Sequence, residues 1–168
     1  SLLEKGAQAS EFEAWSKYLG NISTSGSYKV YNRLFSFLAK EDLEIDGEGR
    51  VLAWKVVRGN WKDKHSNTFD NSVGSICEVP RQSVDDDDNS HCSYGLHICS
   101  WGYLKGFSSH GDRVVRVAVN PADIISIPND YNGEKVRCCK YEVVAFVDFW
   151  ENLDSNIAPN LKGAYKSN

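Results

Sequence analysis

Methionine is missing from all 168 residues, position 1 included. A chain that opens on Ser1 without an initiator reads as an excised piece of a longer protein. Long apolar runs are missing too. None approaches the ~20 residues that a membrane-crossing helix needs, and the opening residues lack the basic-then-apolar pattern of a secretory leader. Positive charge is not in excess: 19 Lys and Arg stand against 23 Asp and Glu, a net charge of −4. Bulk attraction to duplex nucleic acid or an anionic membrane is therefore not expected. Neither a Walker loop nor G-x-G-x-x-G occurs, so a glycine cradle for phosphate is unsupported. The 5 cysteines are an odd number. Cys138 and Cys139 are adjacent in a strand pattern, where alternation sends them to opposite faces, so reduced thiols in a cytosolic setting are expected instead of a disulfide framework.

What remains is the composition of a folded globule, 41% apolar and 12% aromatic, long enough for one domain with a real core. Ser10-Glu11-Phe12-Glu13 reads as a capping box, with Phe12, Trp15 and Leu19 at helical spacing and Gly20 closing the helix. Ser27 caps a second candidate helix. Arg50 to Arg58 reads as a strand, residues 59–75 as a long polar loop, and Ile76 to Val79 as a short strand stopped by Pro80. Ser100 reads as the cap of a short helix with Trp101, Leu104 and Phe107 inward. Strands follow at Arg113–Val119 and Ile124–Ile127, and the longest strand pattern runs from Val136 to Phe149. The expected organisation is a helical segment over 1–27, one core domain over 28–150 and a polar tail over 151–168. Helices first, then strands, imply an α+β fold with a mostly antiparallel sheet and N-terminal helices on its flank.

Several groups carry candidate chemistry. His91, Cys92, His97 and Cys99 invite zinc, but His-Cys-x4-His-x-Cys fits neither usual ligand pairing, and no metal is expected. No nucleophile signature surrounds the cysteines or serines. The loop Lys62 to Ser72 offers cations, hydroxyls and amides just after Lys55 and Arg58, a set suited to phosphate or ribose and equally to a solvated surface loop. Arg137 and Glu142 sit on the long strand. A Glu inside Tyr141-Glu142-Val143-Val144-Ala145-Phe146-Val147 must face water, a partner charge or a ligand. His97, between apolar neighbours where a strand hands over to a helix, marks a pocket wall.

The stretches Tyr28 to Leu34, Gly49 to Arg58, Asp63 to Asn71, Cys92 to His97, Val119 to Asp123 and Val136 to Val144 together resemble the rIIB-like proteins of tailed phages. The resemblance covers roughly residues 28–147. It implies a role in phage–host conflict, in which the family blocks exclusion by resident prophages and other defences. A remoter similarity is to ADP-ribosyltransferases. Leu52-Ala53-Trp54-Lys55-Val56-Val57-Arg58 resembles their first strand, Gly95-Leu96-His97-Ile98 their strand running into a helix, and Glu142 their late-strand Glu. That resemblance implies a split antiparallel sheet. Lys55 stands where the ribose-binding His would be and His97 where the stacking Tyr would be, and a Lys cannot accept the hydrogen bond that a neutral His can. Shared fold does not carry shared activity.

The expectation is a host-cytoplasmic phage counter-defence module that binds a nucleotide-like ligand, such as a host immune signal, without chemistry and without a cofactor. Lys55, Arg58, Lys64, His65 and Arg137 would meet phosphates; Trp54, His97 or Tyr103 would contact base or ribose; Glu142 would add at most a hydrogen bond. Two alternatives stand beside it: an ADP-ribosyltransferase using Glu142, and a domain that binds a host or phage protein.

Overall fold

Runs of β-branched residues buried on both faces build the central strands of this protein, because a pleated strand sends successive side chains to opposite faces and a core covers each. The structure, a computed structural model, describes residues 9–23, 44–87, 94–106, 111–127, 135–147 and 161–162. They form one helix, α1 (Ala9–Ser23), and nine strands: β1 (Glu44–Ile45), β2 (Val51–Val57), β3 (Ile76–Glu78), β4 (Leu96–Cys99), β5 (Arg113–Val119), β6 (Ile124–Ser126), β7 (Lys135–Cys138), β8 (Lys140–Val147) and β9 (Leu161–Lys162). One sheet holds them in the order β3-β8-β5-β2-β4-β7-β6, with β1 added to β2 and β9 to β8. Every pairing is antiparallel. The fold is α+β.

The sheet is two leaves joined by a thread. β2 pairs with β5 along its whole length, from Val51 opposite Val119 to Val57 opposite Arg113. On its other side β2 meets β4 at one residue pair, Trp54 opposite Cys99. Beyond that pair the leaves diverge and leave room between them.

Val51, Ala53 and Val57 of β2 join Val115, Val117 and Val119 of β5, Tyr141 and Val143 of β8 and Tyr18 of α1 in the main core. Trp54, Val56 and Val114 point the other way, into a smaller core with Cys99, Leu104 and Val147. A turn of 3₁₀ helix, Trp101–Gly106, covers that side. Trp54 and Trp101 meet edge to face with centroids 4.6 Å apart.

Four local expectations are corrected. Gly20 does not close the first helix, which runs on to Ser23; Asn21 Nδ2 donates to the Glu48 carbonyl at 3.1 Å and draws the extra turn onto the 46–49 bend. The buried face of α1 is Ala14 and Tyr18, while Trp15 and Leu19 are 38% and 46% exposed. The segment after Ser100 is 3₁₀, and Ser100 Oγ finds no partner among the described residues. The long strand expected from Val136 is two strands in different leaves, β7 beside β4 and β6, β8 between β5 and β3. Cys139 makes the crossing. Its N–H donates to the Asp123 carbonyl and its own carbonyl accepts from Val79, both at 2.9 Å, so the backbone stays satisfied without Gly or Pro. The expected second helix from Ser27 lies outside the described residues, as do His91 and Cys92.

Candidate functional site

Where the leaves part, a cleft of about 510 Å³ opens. β2 contributes Lys55, the 59–75 loop contributes Asp63, Lys64, His65 and Phe69, β4 contributes His97, β7 Lys135 and β8 Tyr141, with Tyr94 beside them. Thus the polar loop, the two leaves and the strand after Gly95 meet at one place.

The loop is a built object. Asp63, 7% exposed, turns its carboxylate inward. It accepts from the Ser66 N–H at 2.6 Å, the Ser66 hydroxyl at 2.7 Å, the Thr68 N–H at 2.9 Å and the Phe69 N–H at 2.8 Å. Burial alone would raise this carboxyl, but the donors from Ser66, Phe69 and Thr68 outweigh it and hold the group at about 2. Arg58 clamps the same turn from outside, Nε donating to the Asp63 carbonyl at 3.2 Å and Nη2 to that of Lys64 at 2.8 Å. Asn71 is fully buried, donates its N–H to the Trp61 carbonyl, and accepts from the Tyr141 hydroxyl through Oδ1. The loop is thereby pinned to β8.

Lys55 lies on the β2 face that carries Val51, Ala53 and Val57. Its Nζ donates to the His97 carbonyl at 2.7 Å and lies 5.8 Å from the centroid of the Tyr141 ring. No carboxylate among the described residues pairs with it. Burial drives its pKa down from the usual lysine value, the surrounding thiols and Asp63 opposing only in part. His97 is held neutral: burial, then the charges of Lys55, Lys135 and Arg137, push its pKa down to about 3. Its Nε2 is buried with no hydrogen-bond partner among the described residues.

Of the residues marked from sequence, Lys55, Lys64, His65 and His97 converge on the cleft. Lys64 is also engaged by Asp112, Nζ to Oδ2 at 2.6 Å. Arg58, Trp54, Arg137 and Glu142 stand apart. Arg58 braces the loop, and Trp54 packs in the smaller core. Arg137 is fully buried, with Nη2 donating to the Asp87 carbonyl and to Ser126 Oγ. Glu142 is ion-paired to Arg50, Oε2 to Nη1 at 2.6 Å, beside the Arg50–Asp46 pair at 2.8 Å. Alternation places it opposite Tyr141, which lines the cleft. The side chain of Tyr103 lies outside the described residues. Sequence reasoning did not single out Lys135, Tyr141 or Asp63. Asp63 had a signal, an Asp followed by Ser three residues on, the pattern of a side chain capping its own turn. Lys135 and Tyr141 had none, because each enters the cleft through strand pairing.

No metal-binding group of three or more His, Cys, Asp or Glu occurs among the described residues. Cys77, Cys99, Cys138 and Cys139 are buried and form no disulfide among the described residues. No described helix is long and apolar enough to cross a membrane.

Comparison with known proteins agrees with the motifs. No solved structure matches the chain. Protein rIIB of Enterobacteria phage T4 is 48% identical over 143 residues, which is 85% of this chain and 46% of that protein. The chain thus spans about half the length of this relative. Residues 6–150 match the family described as bacteriophage T4 protein rIIB. With that match over most of its length and this level of identity, the chain belongs to the rIIB family of phage proteins.

Proposed function

We propose that the cleft between the leaves binds a small, anionic, nucleotide-like ligand, and that the protein acts in the host cytoplasm as a counter-defence module by sequestering it. One observation carries this reading. Lys55, Lys64, His65 and Lys135 all bring nitrogen to the cleft, and the one carboxylate among the described lining residues, Asp63, is spent on its own loop. Phe69, Tyr94 and Tyr141 add ring surfaces to the same walls. Cations with aromatic faces suit a flat, charged ligand. The single-pair junction of β2 and β4 fits the split sheet of the ADP-ribosyltransferase resemblance, and the ligand class follows that likeness.

A transferase that uses Glu142 has less support. Glu142 is neutralised by Arg50 and does not line the cleft. A group that stabilises a developing ribosyl cation has to touch it.

The test is a thermal-shift panel of mononucleotides, dinucleotides and cyclic oligonucleotides. A ligand at 100 times its Kd adds about 2.7 kcal/mol of stability. At least one should stabilise the protein, and His65→Ala should weaken the response. No shift across the panel, with a phage or host protein retained in pull-down, turns the reading toward an interaction domain. Adduct formation on host proteins with NAD, lost in Glu142→Gln, turns it toward the transferase.

A further inference from the structure

We propose that Lys55 is a reactive amine that condenses with a carbonyl group, so that the cleft takes ligands bearing an aldehyde together with negative charge. The inference rests on the cleft reading above for the ligand's charge, while the amine chemistry stands on the surroundings of Lys55 alone.

Three observations converge. Nζ lies at the wall of a cavity large enough for a phosphorylated small molecule. Its one hydrogen bond among the described residues is to a backbone carbonyl, that of His97, and no carboxylate among them holds it as an ammonium ion. Asp63, the one carboxylate among the described lining residues, is taken up by Ser66, Thr68 and Phe69 of its own loop. Burial acts in the same direction. A lysine desolvated at the wall of a pocket, with no carboxylate holding it as an ammonium ion, is the arrangement that makes an amine nucleophilic at neutral pH. A structural role alone, bridging β2 to β4, asks only for a donor to the His97 carbonyl, which a neutral amine supplies as well.

The step balances without a redox partner. The ammonium releases one proton to solvent. The Nζ lone pair attacks the carbonyl carbon while the C=O π pair moves to oxygen, which takes up a proton. Loss of that hydroxyl as water, with the remaining N–H proton, leaves a C=N bond. One amine and one aldehyde give one imine and one water.

The experiment uses the unmutated protein with two probes, pyridoxal 5′-phosphate and its phosphate-free counterpart pyridoxal, trapped with borohydride at pH 7 and located by peptide mapping. A lowered ammonium pKa leaves more free amine at pH 7, so Lys55 should be labelled faster than exposed Lys140. Lys55→Arg, which keeps a donor for the His97 carbonyl, should lose that label while melting at nearly the same temperature. Labelling of Lys55 no faster than Lys140, by both probes, overturns the proposal. If both probes label Lys55 equally and no nucleotide protects it, the amine stands and the nucleotide reading falls. If nucleotides bind and Lys55 resists both aldehydes, the nucleotide reading stands and the amine falls.

Discussion

Lys55 and His97, 42 positions apart in sequence, hold the two leaves together where strand pairing stops, with Lys55 Nζ donating to the His97 carbonyl at 2.7 Å. The lysine amine replaces ladder hydrogen bonds that β2 and β4 do not make beyond Trp54 and Cys99. Burying an amine this way costs desolvation, which an apolar side chain avoids. Lys55→Met should therefore melt at the same temperature or higher, and the ligand response should disappear. A fall in stability above about 2 kcal/mol, with the response intact, would assign Lys55 to structure only.

Adjacent loop positions should behave differently. His65 is exposed and lines the cleft, so His65→Ala should shift stability by less than about 0.5 kcal/mol while weakening ligand binding. Lys64→Ala also releases Asp112, a partner whose side chain is 11% exposed. It should cost roughly 1 kcal/mol more than His65→Ala. Chemical denaturation of the two variants side by side checks the difference.

Glu142→Gln should be a stability variant. It breaks the 2.6 Å pair with Arg50, whose guanidinium keeps Asp46 as a partner. A loss of about 1–2 kcal/mol is expected, as for one charge-assisted hydrogen bond, with ligand affinity within about tenfold of the unmutated protein. Calorimetric titration after a denaturation series separates the two effects.

Acid should weaken the fold earlier than its carboxylates alone would suggest. His97 is held at about 3 when folded against 6.5 unfolded, so the unfolded chain takes up the proton first. Its contribution is complete above pH 6.5 and is lost as pH falls toward 3, by up to about 1.4 kcal/mol per pH unit. Asp63, held at about 2 against 3.8, adds a further loss between those values. Stability measured from pH 7 to 4 should fall, and His97→Asn should flatten that slope.

Gly49 has φ +77°, and a Cβ there would collide with the backbone of Tyr18 and Lys17. Gly49→Ala should cost more than about 2 kcal/mol by forcing α1 off the sheet while straining a left-handed position. Retained tryptophan fluorescence from Trp15 at unchanged stability would contradict it.

Much of this protein is legible before folding. The valine runs of β2 and β5 announce buried strands, the short strand expected from Ile76 forms and stops at Glu78, two residues before Pro80, and the family motifs name the kinship. Lys55, Lys64, His65 and His97 stand out because polar and basic groups beside core strands need a reason. What the sequence hides is decided by pairing. A period-two pattern reports that residues are buried and says nothing of which leaf receives them, so one apolar run hid the crossing at Cys139. On the first helix Trp15 and Leu19 of the expected stripe lie exposed while Ala14 and Tyr18 are buried, and the contact with the 46–49 bend chose the latter. Glu142 found its partner 92 positions away in Arg50. Composition and local spacing thus determined most of the strands and the α+β class, and the resemblance of its motifs the family, since these depend on neighbours in the chain. The cleft, the meeting of Lys55 with the His97 carbonyl and the placing of Glu142 outside the cleft came only from the tertiary structure, since they depend on which distant strands lie side by side.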